Sequence, residues 1–169
     1  ANAGIVTAVA DYRLYPKGKY PAFIEDGAEA VRFLHGIVAA HGGDPARILL
    51  AGHSAGAYIA AMLACNSKFA VNPIRGVIGI AGPYDFLPLY DPVLIDIFGG
   101  DRVRATQPIK YARNKTPPMP LEHGTRGWSV RASTSRPQAR RRSAAGTGRR
   151  TAPAAVQDSW AVRASARGR

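Results

Sequence analysis

The stretch "RILLAGHSAGAYIAAMLA", residues 47–64, constrains the fold more than any other part of the chain. A strand-like apolar run over 47–51 meets Gly52-His53-Ser54-Ala55-Gly56 and turns at once into a helix pattern of small residues over 55–64. The spacing matches G-x-S-x-G. Gly52 and Gly56 permit a tight strand-to-helix turn that lifts the Ser54 side chain clear of a sheet. The backbone N–H of Ala55, at the helix start, can then face a developing oxyanion. A bare five-position match is weak, and the plain alternative is a glycine turn with an idle serine. The buried strand before it and the small-residue helix after it, able to lie close against a sheet, favour Ser54 as a nucleophile.

The flanks continue the rhythm. "GIVTAVA" (4–10) reads as a buried strand ending in the Pro- and Gly-rich loop "DYRLYPKGKYP". Pro21 opens a helix in which Phe23, Ile24, Ala28, Val31, Leu34, Ile37 and Val38 share one face. Glu25, Asp26 and Glu29 suit its N-terminal end, and Gly42 and Gly43 can end it. Beyond the central stretch, "IRGVIGIAG" (74–82) reads as a third strand, "PYDFLPLYDP" as a loop and "VLIDIFGG" (93–100) as a short glycine-capped helix. Strand, helix, strand, helix, strand predicts the α/β class, with a parallel sheet covered on both faces. Near residue 117 the pattern stops. "TPPMPLEHGT" should supply a fourth strand, but Pro120 and Glu122 sit where a central strand wants Val or Leu.

The net charge of +12 suggests a nucleic-acid binder until it is divided along the chain. Residues 1–125 carry 12 Lys and Arg against 10 Asp and Glu, whereas 126–169 carry 11 Arg, no Lys and one acid, Asp158. The basicity belongs to the tail. That tail lacks any sustained period of 2 or 3.6 and reads as a disordered, low-complexity segment. Cys65 is the only cysteine, so no disulfide can form within the chain and the redox compartment stays open. No apolar run approaches the ~20 residues of a membrane span. The N-terminal stretch has no basic region ahead of its apolar run; it reads as a strand, not a signal peptide, and the expectation is a cytoplasmic protein.

The stretch from "VADYRLYPKGKYPAFIEDGAEAVRFL" to "GGDPARILLAGHSAGAYIAAMLA" resembles the α/β-hydrolase fold, in the carboxylesterase/lipase branch with feruloyl- and acetyl-esterase-like enzymes and arylformamidases. "GIAGPYDFLPL" and "PIKYARNKTPPM" also resemble segments of that branch. The resemblance implies a Ser-His-Asp triad acting on small carboxylic esters or amides through an acyl-enzyme, without metal or cofactor. It assigns Ser54 as nucleophile, Ala55 as one oxyanion donor, and Gly52, His53 and Gly56 as the rest of the nucleophile elbow.

The other parts of the machinery are not evident. The family's HGG-type oxyanion loop lies upstream of the "DYRL" strand, and His41-Gly42-Gly43 precedes the elbow strand instead, so it is a decoy. "HGT" at 123–125 is followed by Arg126-Gly127-Trp128, with no Asp where the triad acid is expected. His123 is the only histidine after Ser54 and stands as the weak candidate for the triad histidine, though "HG" matches the approach to the acid. Asp85, Asp91, Asp96 and Asp101 lie between them in the order a triad needs. Asp85 after "GPY" more often braces a loop; Asp11 and Asp26 read as strand-end and helix-start charges, and Cys65 as core packing.

The expected organisation is a partial α/β-hydrolase domain over 1–119 and a basic low-complexity tail over 120–169. The tail's abrupt change of composition near 120–126, toward residues with GC-rich codons, points to a shift of reading frame. The alternative is a real basic extension, "RPQARRRSAAGTGRR" (136–150), on a non-catalytic hydrolase-like scaffold meeting anionic partners. Trp128 and Trp160 are too few for a base-stacking series, and nucleic acid is the less favoured partner. A sheet of so few strands is also expected to expose apolar faces and edges, which favours aggregation.

Overall fold

Parallel pairing in the middle of the chain organises everything else. The strands β1 (Leu49–His53) and β2 (Gly76–Ile80) run parallel, in register from Leu49 opposite Gly76 to His53 opposite Ile80. The two-residue strand β3 (Leu121–Glu122) pairs parallel on the other edge of β2, giving the order β1-β2-β3. The helices are α1 (Ala22–Ile37), α2 (Ala55–Cys65) and α3 (Pro92–Phe98). The computed structural model describes residues 4–71, 73–113 and 115–122. The expected tail disorder and His123 fall outside these residues.

The helices form as their sequences require. Pro21, Phe23 and Ile24 start α1, which buries Phe23, Ile24, Ala28 and Val31 along one stripe. A 3-10 turn carries the chain from Val38 to His41, and Gly42 at φ 78° ends it in the left-handed region that glycine enters freely. Asp91 caps α3, accepting from the N–H groups of Val93 and Leu94, and Gly99 at φ 73° closes it. The buried face of α1 meets Tyr58, Ile59, Met62 and Leu63 of α2, joined by Phe69 and Val71. Gly27 lets the helices close up, since a Cβ there would stand 2.9 Å from Ile59 Cγ2.

An aromatic cluster extends this core. Phe98 lies within 6.3 Å, centroid to centroid, of Tyr20, Phe23, Tyr58 and Phe86. Tyr58 Oη donates to the Thr106 carbonyl at 2.7 Å, and Tyr20 Oη to the Ala105 carbonyl at 2.9 Å. Both phenols are pushed up from their ordinary pKa by burial. Gln107, buried, accepts from the Phe86 N–H and donates to Thr106 Oγ1, so the 104–111 segment is fastened to the aromatic layer by satisfied polar groups.

Four expectations need correction. Residues 4–10 form no strand: the run is exposed, with Ile5 67% accessible, and no described residue pairs with it. Apolar composition does not make a strand without a partner for its N–H and C=O groups. The elbow strand is Leu49–His53 and not 47–51, and it is not buried, since Leu49 is 60% exposed. The sheet is covered by helices on one face only among the described residues. Leu50, Gly52, Val77 and Gly79 face α2, while Ile78 and Ile80 on the opposite face are 41% and 46% exposed.

The fourth correction concerns the stretch where the pattern was read as ending. The carbonyls of Pro118, Pro120 and Glu122 accept from the N–H groups of Val77, Gly79 and Ala81 at 2.8–3.1 Å. Each proline lacks the N–H that would return a bond to β2, so the ladder runs one way until Glu122. That is why a five-residue pairing yields a two-residue strand.

Candidate active site

The turn from β1 into α2 is built from close backbone contact. A Cβ on Gly52 would collide with the backbone of Gly56 and Ala57, so only glycine lets the last residues of β1 pass under the first turn of α2. Gly79, the register partner of Gly52, is likewise filled from above: the Tyr84 hydroxyl sits where its side chain would be. Tyr84 is buried, and burial raises its phenol's pKa.

Ser54 takes the turn at φ 52°, ψ −116°, a conformation that costs a non-glycine residue about 1–3 kcal/mol. It is exposed and occupies the N-cap position of α2, yet its side chain makes no cap hydrogen bond. An ordinary N-cap serine has extended backbone angles and folds its Oγ back onto the helix. Here the main chain does the holding: Ser54 N–H donates to the Ile80 carbonyl at 2.9 Å, and the Ser54 carbonyl accepts from Tyr58 N–H at 3.1 Å. The α2 ladder therefore begins at Tyr58. The N–H groups of Ala55, Gly56 and Ala57 have no acceptor within the helix and lie at its positive end.

The other candidates are scattered. His53 is exposed and, by strand alternation, belongs to the sheet face away from α2. His35 lies on α1, and His41 ends the 3-10 turn before β1, with Gly42 and Gly43 as helix-ending residues. Asp26 is held by Arg13, whose Nε and Nη2 donate at 2.7–3.0 Å; the guanidinium keeps this carboxyl below its usual range. Asp96 pairs with Lys19 at 2.7 Å, Asp101 with Arg102 at 3.5 Å, and Asp91 caps α3. Asp11 and Asp85 are exposed. Cys65 donates to Met119 Sδ at 3.9 Å, and burial pushes its thiol up to about 11. Among the described residues none bonds to Ser54 Oγ, and no three His, Cys, Asp or Glu gather as a metal site. His123 lies outside them.

One residue was missed by sequence reasoning. Among the described residues, Ala81, at φ 51°, and Ser54 are the non-glycine residues with positive φ. Both follow directly on a register pair, His53 opposite Ile80, and so stand side by side at the carboxyl ends of β1 and β2. Nothing about an alanine in "GIAGPY" announces a left-handed conformation.

A family model, BD-FAE, matches residues 1–140. The chain belongs to the BD-FAE family. This is an α/β-hydrolase family of carboxylesterase type. The match runs past residue 119, where the motif-based resemblance ends. Curated proteins similar to this BD-FAE chain include the probable isoprenylcysteine alpha-carbonyl methylesterase ICMEL1 of Oryza sativa subsp. japonica, 28% identical over 80% of the chain and 39% of that protein. Carboxylesterase NlhH of Mycobacterium tuberculosis (strain ATCC 25618 / H37Rv) is 45% identical over 37% of the chain and 20% of its own length. The chain thus spans less than half the length of these curated relatives.

Among solved structures, esterase 2 of Thermogutta terrifontis phosphoramylated by tabun superposes with a TM-score of 0.58 at 23% identity, covering 71% of this chain and 48% of that one. A truncated carbohydrate esterase from gut microbiota gives 0.59 at 18%, covering 67% and 52%. At these identities the likeness speaks for the fold alone. No helix among the described residues is long and apolar enough to cross a membrane.

Proposed function

We propose that the chain carries the nucleophile of a carboxylic ester hydrolase, with Ser54 forming an acyl-enzyme on a small-molecule ester or amide. The observation that carries this is the uncapped Ser54 hydroxyl on a strained turn at the carboxyl end of a parallel strand, beside unbonded N–H groups. Ligands of open α/β sheets bind at that end. The relatives' names, a methylesterase and a carboxylesterase, support an ester as substrate class.

In this reading Ser54 Oγ bonds to the acyl carbon while a base takes its proton, and the alcohol leaves carrying that proton. Water then adds to the acyl carbon and releases the acid, returning a proton to the serine. The Ala55 N–H would donate to the oxyanion that forms in both steps. The base and its carboxylate partner are not assigned to any described residue, and His123 is the remaining histidine candidate in chain order. The domain over 1–119 is proposed as the unit that bears the site.

A fluorophosphonate probe tests it. The Thermogutta terrifontis esterase 2 is itself phosphoramylated by an organophosphorus agent, which recommends the reagent. Slow labelling of the full chain, in which no described residue supplies the base, is expected to disappear in Ser54→Ala. A folded, unlabelled wild type overturns the reading and favours a non-catalytic scaffold whose arginines, 11 of them in 126–169, meet anionic partners.

A further inference from the structure

Ala81 repeats the backbone anomaly of Ser54 one strand away. Its φ of 51° lies in the region that favours glycine, and it is exposed, one step beyond Ile80 at the end of β2. The conformation is fixed from both sides. The carbonyl before it, on Ile80, accepts from Ser54 N–H at 2.9 Å, and its own N–H donates to the Glu122 carbonyl at 2.8 Å. Backbone strain that the surroundings over-determine clusters at substrate sites. Ala81 N–H is spent on Glu122, so this residue adds no oxyanion donor; what it adds is a methyl group.

The next residue cannot supply that wall. A Cβ on Gly82 would stand 2.7 Å from Ala57 Cβ and 2.5 Å from Tyr84 Oη, in space already filled under α2. Adjacent strands lie about 4.8 Å apart, so Ala81 and Ser54, each one step beyond the register pair His53–Ile80, are neighbours at the carboxyl end of the sheet.

We propose that Ala81 is a specificity-determining residue of the Ser54 site, its methyl limiting the size of the acyl group that Ser54 can carry. This rests on the Ser54 reading. A branched or longer side chain at 81 narrows the site to short acyl groups, and glycine widens it.

The test compares labelling rates of the full chain by two fluorophosphonates sharing fluoride as leaving group, one with a methyl and one with an octyl group on phosphorus. Ala81→Leu is expected to lower the octyl-to-methyl rate ratio by about tenfold, the scale of discrimination a methylene provides. Ala81→Gly, whose backbone suits φ 51°, is expected to raise the ratio and serves alone if the leucine variant does not fold. Equal ratios in wild type and variants overturn the role of Ala81 while leaving Ser54 standing. Absence of labelling by either probe in folded wild type overturns both readings together.

Discussion

A Cβ placed on Gly52 runs into the backbone of Gly56, while a Cβ placed on Gly56 meets nothing within 4 Å. The two glycines of one five-residue motif are thus present for different reasons. Gly52 is required by the crossing of β1 under α2, and no backbone neighbour can move aside cheaply. Gly52→Ala is expected to cost about 3 kcal/mol or to prevent folding, as overpacking against main chain does. Gly56→Ala lies in the first turn of a helix and should change stability by less than about 1 kcal/mol, in the stabilising direction. Urea unfolding midpoints of the two variants check this. Equal penalties would mean that the crossing is looser than described.

The Arg13–Asp26 pair ties the loop after residue 10 to α1, where the Asp26 carboxylate also accepts from the Arg13 backbone N–H at 2.8 Å. Hydrogen bonds from Arg13 hold the Asp26 carboxyl below its ordinary value of 3.8. A depressed folded-state pKa gives stability that is complete above the unfolded value and is lost as pH falls through the folded one. Asp26→Asn should therefore lower Tm by a few degrees at neutral pH, and the gap should close as pH is taken below 3.8 and through the lowered value. Melting curves across that range decide it; a gap that persists in acid would assign the loss to packing.

Much of the local structure was legible because it follows from short-range rules. Pro21, the stripe from Phe23 to Val31 and the glycine that closes α3 are chemistry contained in a few neighbouring residues, whereas the cap by Asp91 was not read from the sequence. The turn from strand into helix at Ser54 was legible for the same reason, though not the bounds or burial of the strand before it. What depends on a distant partner was not. Residues 4–10 have a strand's composition but no pairing, and 118–122 have prolines in a strand's place yet pair through their carbonyls. Ala81 is the clearest case at the site. Its conformation is imposed by Ser54 on one side and Glu122 on the other, and both lie more than twenty residues away in sequence.

Cys65 gives a second titration to observe. Half-buried at the end of α2 beside Met119, its thiol is raised by burial to about 11, so at pH 8 almost none is thiolate. Thiolate is the reactive form. In the native chain, reaction with a disulfide reagent such as DTNB at pH 8 should be slow, and it should become fast in urea. Native-state rates should climb toward about pH 11. Rapid native labelling at pH 8 would place the sulfur in a more exposed, less apolar setting.

The composition of the last 44 residues carries the remaining prediction. Over 1–125 the basic residues are mixed, with 5 Lys beside 7 Arg; over 126–169 there are 11 Arg and no Lys. Arg, Ala, Gly and Pro share GC-rich codons, and we propose that a GC-rich gene is read out of frame in this part of the chain, although the family match continues to residue 140. Sequencing the gene and translating its other frames beyond codon ~120 is expected to yield an apolar strand, an Asp shortly after it and a later His, the partners that Ser54 lacks among the described residues. If neither alternative frame encodes them, the arginines are a selected part of the protein. Binding of the chain to an anionic polymer should then weaken steeply with salt, because released counterions drive such contacts.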